Sequence, residues 1–96
     1  MKNKIHLLRK AQIGLDALQP QDQKEATKII ESLEDFPSSN ILINAKKIDI
    51  TQNRFIAKLG KVYRIIFQYQ NNEVIITDIL SRDRLHRLPI FFKQEV

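Results

Sequence analysis

The sequence predicts an α+β fold, with an N-terminal strand and an αα-hairpin packed on an antiparallel sheet of three to four further strands. Three observations carry that prediction. Apolar residues recur at helical spacing between Leu8 and Leu33, then alternate at the two-residue period of a strand from Arg54. Asn71-Asn72 lies between two apolar runs and suits the tight turn of a hairpin, because Asn tolerates positive φ. The order that results is one strand, two helices, then three or more strands in a meander.

Ile5 to Leu8 is a short apolar run that reads as the first strand. Leu8, Ala11, Leu15 and Leu18 then follow at helical spacing, with Gly14 inside the helix at a cost of about 1 kcal/mol relative to Ala. Pro20 suits the first turn of a second helix, where a backbone N–H would have no partner in any case. Ala26, Ile29, Ile30 and Leu33 make an i, i+3, i+4, i+7 stripe, and Lys24, Glu25, Lys28 and Glu31 fall mainly off it. Pro37-Ser38-Ser39-Asn40 ends this helix. The region from Ile41 to Gln52 has no clear period; Ile41-Leu42-Ile43 reads either as a loop packed on the core or as a short strand.

Beyond it, Phe55, Ala57 and Leu59 share one face of a strand, with Arg54, Ile56 and Lys58 on the other. Gly60 breaks this strand, and the next runs from Val62 to Tyr69. Gln70 to Glu73 connects it to a third, Val74 to Leu80, whose apolar residues on both faces fit a central position. Pro89 and Ile90-Phe91-Phe92 read as an apolar strap on the core or as part of a partner or dimer surface.

The chain has 96 residues, 43% of them hydrophobic, which suits one domain over residues 1–96 with a modest core. It has no cysteine, which excludes disulfides and thiolate metal sites; no cofactor and no metal is expected. No apolar run approaches the roughly 20 residues that cross a bilayer. The charged start Met1-Lys2-Asn3-Lys4 leads into no apolar leader, so a cytoplasmic protein without membrane attachment is expected.

The formal net charge is +5, and its distribution is uneven. From Arg54 to Arg87 the chain carries Arg54, Lys58, Lys61, Arg64, Arg82, Arg84 and Arg87 against Glu73, Asp78 and Asp83. This bias favours an anionic partner, nucleic acid or an acidic protein segment, although a basic surface that only aids solubility has the same composition. Arg64 is singular, because it sits in the apolar run Val62-Tyr63-Arg64-Ile65-Ile66-Phe67. Burying that guanidinium unpaired would cost several kcal/mol, so it must reach an edge, a partner or a ligand. If its strand pairs with the next, Arg64 and Arg82 converge, and two guanidinium forks suit a phosphate. The alternative for Arg64 is an ion pair on the sheet, for instance with Asp78. His86, four residues past Arg82, is the side chain best suited to exchange protons near neutrality, or else a surface histidine in a basic tail.

These residues also resemble a known family. Leu59-Gly60-Lys61-Val62-Tyr63-Arg64-Ile65-Ile66-Phe67-Gln68-Tyr69 is similar to the glycine, Tyr-Arg, aliphatic-aromatic strand of the RelE/ParE toxin superfamily. Ile76 to Arg84 resembles the strand that follows and the arginine that ends it, and Leu18-Gln19-Pro20 resembles the start of that family's second helix. The resemblance implies the toxin of a bacterial type II toxin–antitoxin system. A RelE-like member would be a ribosome-dependent, metal-independent mRNA endonuclease that inhibits translation. A ParE-like member would bind DNA gyrase without catalysis, and a degenerate member would do neither. Each would have a cognate antitoxin protein as partner.

For the nuclease, the resemblance maps Arg64 and Arg82 onto the scissile phosphate, His86 onto proton transfer, and Lys58 onto either backbone binding or the base. Arg54, Lys61, Arg84 and Arg87 would hold RNA. Two departures stand out. The glycine lies one residue further from Tyr63-Arg64 than in the common pattern, and no tyrosine follows Tyr69, so either His86 replaces the usual C-terminal tyrosine or this chain does not cut RNA.

Overall fold

A computed structural model describes residues 2–49 and 53–87. Five strands form one mixed sheet: β1 (Lys4–Leu7), β2 (Lys46–Asp49), β3 (Arg54–Leu59), β4 (Tyr63–Gln70) and β5 (Glu73–Ser81), in the order β1-β5-β4-β3-β2. The last four strands pair antiparallel, and β1 joins β5 in parallel. That parallel pairing needs a crossover, which the helices α1 (Arg9–Asp16) and α2 (Pro20–Ser32) supply as they cross one face, here called inner. A single-turn α3 (Asn40–Ile43) precedes β2, and α4 (Arg82–His86) follows β5.

The alternation along β3 and β4 separates two cores. Ala57, Leu59, Ile65 and Phe67 point inward, with Val74, Ile76 and Ile79 of β5, against Ala11, Ala26 and Leu33 of the helical layer. Ile56 and Ile66 point outward, where Leu85 of α4 covers them beside Ile48 and Leu80. Phe36 closes the inner core with its ring edge-on to Phe55, Phe67 and Tyr69 at centroid distances of 5.0, 5.1 and 5.1 Å. Buried Asn3 ties the chain start to this corner, donating from Nδ2 to the carbonyls of Leu33 (3.0 Å) and Phe36 (2.7 Å).

The β4–β5 hairpin turns on Asn71 and Asn72, both at positive φ (52° and 61°), between the paired residues Gln70 and Glu73. Two positive φ values in a two-residue loop match the right-handed twist of the flanking strands. β5, predicted to be central, lies between β1 and β4. The first strand begins and ends one residue earlier than the Ile5–Leu8 run. Ile41 to Ile43 belong to neither a loop nor a strand but to α3, which stops at left-handed Asn44 (φ 52°). Asn40 fixes that stop: its Nδ2 donates to the Ala45 carbonyl (3.1 Å), and its Oδ1 accepts from the Ala45 N–H (2.6 Å). The tail from Pro89 lies outside the described residues. Among the described residues, no helix is long and apolar enough to cross a membrane.

Gly14 shows how closely the layers approach. A Cβ at this position would overlap the Ile79 carbonyl oxygen, a backbone atom that cannot swing away. Gly14→Ala gains about 1 kcal/mol of helix propensity and loses about 1–3 kcal/mol or more to overpacking. The clash should win, and the urea midpoint should fall; a stabilised Gly14→Ala protein would contradict this packing.

Candidate functional site

Arg64 is pinned by its neighbours on β4. Tyr63, Ile65 and Phe67 serve the inner core, so Arg64 must emerge on the outer face with Ile66. The sheet register places Lys58 of β3 directly across from it on one side and Leu80 of β5 on the other. Packing around the site leaves Arg64 only 4% exposed. Its Nη1 donates to the Tyr63 carbonyl at 2.7 Å and, at a longer 3.4 Å, to the Lys61 carbonyl. Its Nε is buried without a hydrogen-bond partner among the described residues.

No ion pair compensates this charge among the described residues. Asp78, the carboxylate that might have paired with Arg64, binds Lys10 of α1 instead, at 3.3 Å. Burial, and then repulsion from Arg82, lowers the Arg64 pKa from its usual value. A guanidinium remains charged near neutrality all the same. An anion at this point would meet both deficits, giving Nε an acceptor and the charge a counter-ion.

There is room for one. A hollow of about 140 Å³ lies here, lined by Ile43, Asn44, Lys46, Ile56, Lys58 and Arg64. Among the described residues, three cations, one amide and two aliphatic side chains form its wall, and no carboxylate does. Such a lining attracts a phosphate or carboxylate and repels a cation.

Arg82 opens α4, whose start is held by two bonds. The Arg82 N–H donates to the Val62 carbonyl (2.7 Å), and the Ser81 hydroxyl caps the helix by accepting from the Arg84 N–H (3.2 Å). Leu85 anchors the helix in the outer core. At 3.6 residues per turn, Arg82 and His86 fall on one flank of Leu85 and Arg84 on the other. Arg84 accordingly lines a separate groove beside Lys10, Ile13 and Gly14 of α1.

The structure therefore brings Lys58 and Arg64 together in the hollow and Arg82 near enough to Arg64 to repel it, and leaves the other predicted residues around them. His86 is exposed in α4 and does not line the hollow. Arg54 shares the outer face of β3, across from Gln68. Lys61 is exposed in the β3–β4 turn, and exposed Arg87 caps the end of α4. His6, on β1, lies 4.0 Å from Glu73. Lys46 and Asn44 were not anticipated. The only trace of them in the sequence is Lys46-Lys47 within a segment that has no period.

A helical hairpin on one face of a mixed five-stranded sheet is an architecture this chain shares with solved chains of RelE–RelB complexes. The chain superposes on a chain of the archaeal RelE–RelB complex from Pyrococcus horikoshii with a TM-score of 0.70 and 19% identity, covering 88% of this chain and 99% of that one. For the RelB–RelE antitoxin–toxin complex from Methanococcus jannaschii the values are 0.71, 21%, 84% and 94%. For the toxin–antitoxin complex RelBE2 from Mycobacterium tuberculosis they are 0.67, 17%, 85% and 100%. No protein-family model and no curated protein sequence matches the chain. The fold is RelE-like.

Inorganic phosphate should therefore raise the melting temperature beyond the effect of chloride at equal ionic strength. At ten times its Kd, a bound anion adds about 1.4 kcal/mol, which is several degrees for a domain of this size. Arg64→Gln should abolish that increment and Lys58→Gln should reduce it. An unchanged increment in Arg64→Gln would place the anion elsewhere.

Proposed function

We propose that the chain is the toxin of a type II toxin–antitoxin pair and cuts mRNA on the ribosome, halting translation. The observation that carries this reading is the convergence of Arg64, Lys58 and Arg82 on one face of a RelE-like fold with no carboxylate among them. In metal-independent cleavage the 2′-oxygen attacks the phosphorus and the bond to the 5′-oxygen breaks. A base takes the 2′-hydroxyl proton, an acid supplies one to the departing 5′-oxygen, and cations stabilise the doubly charged phosphorane between these steps.

Arg64 and Arg82 suit the last of these roles. Arg64 is held in place by carbonyls, and its buried Nε is still without an acceptor among the described residues. Lys58, across from Arg64, either neutralises the same phosphate or takes the 2′-hydroxyl proton. His86 lies outside the hollow on the Arg82 flank of α4, so it serves as the acid only for a leaving nucleotide that extends toward α4. Arg54, Lys61 and Arg87 then extend the contact to neighbouring RNA, and Arg84, on the other flank, holds RNA outside the hollow. A cognate antitoxin, the kind of partner the RelE–RelB complexes point to, would neutralise the toxin by covering this basic surface.

Inducible expression in a bacterium tests the reading by primer extension on abundant transcripts. Wild-type protein should produce cuts within translated messages in minutes, and Arg64→Ala should slow them by about 10²–10³-fold, the usual effect of losing one transition-state donor. Intact messages together with an SOS response would reject the nuclease and favour a ParE-like gyrase poison.

A further inference from the structure

Beyond the phosphate hollow, the sheet register lays out a path. Lys58 of β3 is the direct partner of Arg64 of β4, and Lys46 of β2 is the partner of Ile56, two residues from Lys58 on the same face. Strands lie about 4.8 Å apart. Lys58 thus lies about one strand spacing from Arg64, and Lys46 lies diagonally from Lys58, one strand over and two residues along, roughly 8 Å away; all three line the same hollow. Neither lysine has an ion pair among the described residues. The adjacent Lys47 is on the opposite face, with its Nζ 5.8 Å from the centre of the Phe55 ring, so only Lys46 of the pair is available to this path.

Asn44 stands beside Lys46. The polar groups of the α3–β2 turn are satisfied by Asn40, which grips both the N–H and the carbonyl of Ala45. The Asn44 N–H donates to the Asn40 carbonyl at 2.7 Å, and Asn44 lines the hollow with no side-chain hydrogen bond among the described residues. An amide both donates and accepts, as the edge of a nucleobase does, and Ile43 and Ile56 offer an apolar floor beside it.

We propose that Lys46 and Asn44 form a second nucleotide subsite. In it, Lys46 holds the backbone phosphate next to the one at Arg64, and Asn44 meets the edge of the adjoining base, in a single strand that crosses β4, β3 and β2. This rests on the nucleic-acid reading of the outer face and adds the direction of the strand and the two residues that hold its next nucleotide. A cation at a backbone phosphate contributes affinity that falls with salt, whereas an amide at a base contributes affinity that does not.

Fluorescence anisotropy with a labelled hexadeoxynucleotide, which lacks the 2′-hydroxyl and is not cut, separates these contributions. Lys46→Ala should weaken binding on the order of tenfold at low salt and reduce the slope of log K against log salt by about 0.7. Asn44→Gly preserves the left-handed backbone and should weaken binding severalfold with the slope unchanged. Circular dichroism melting of both variants confirms that they are folded. Arg64→Gln should remove most of the binding. If Arg64→Gln abolishes binding while Lys46→Ala changes neither affinity nor slope, the subsite is wrong and the phosphate hollow stands. If the wild-type protein fails to bind the oligonucleotide, the subsite and the nucleic-acid reading fall together. An acidic hexapeptide bound with the same Lys46 dependence would overturn the nucleic-acid assignment of the track.

Discussion

A buried guanidinium without a counter-ion is the constraint around which the outer face of this protein is arranged. Moving an arginine out of water is expensive unless its donors and its charge are both answered. Here Tyr63 and Lys61 answer part of the donor requirement through their carbonyls, and nothing among the described residues answers the charge. Arg82 aggravates it. A buried charge left unanswered in this way marks a candidate ligand site, and the described lining of the hollow favours an anion there.

The rest of the molecule makes that arrangement affordable. The inner face holds most of the hydrophobic core and fixes β4 in register between β3 and β5, which is what aims Arg64 outward. Gly14 lets α1 lie against the Ile79 backbone, where Lys10 also draws Asp78 away from Arg64. On the outer face, Leu85 seals Ile56 and Ile66 with α4, and the same helix delivers Arg82 to one side and Arg84 to the other.

Much of this was legible in the sequence, and for specific reasons. Arg64 betrayed itself as the one charge in an apolar run, Asn71-Asn72 marked the hairpin, and the Phe55-Ala57-Leu59 alternation assigned the faces of β3. The stretch from Ile41 to Asp49 was not legible, because its structure depends on contacts remote from its own pattern. α3 is a single turn ended by the Asn40 side chain, and β2 is a four-residue edge strand with too few residues to display a period. Lys46 and Asn44 were missed with it. The Ser81–Arg87 segment read as a basic patch, whereas its helical twist separates the cations: Arg82 comes near enough to Arg64 to repel it, Arg84 faces α1, and His86 does not line the hollow. Charge counting along a chain cannot make that separation, and one buried leucine does.

Nuclear magnetic resonance of the arginine side chains addresses the central claim most directly, because it observes the Arg64 Nε–H itself. In protein labelled with nitrogen-15 at arginine, titration with inorganic phosphate should shift the Arg64 Nε–H signal strongly downfield and slow its exchange with water, as a buried donor acquires its acceptor. Lys58→Gln should weaken the response without abolishing it. An Arg64 signal that ignores phosphate while those of exposed arginines respond would mean that the hollow holds no anion.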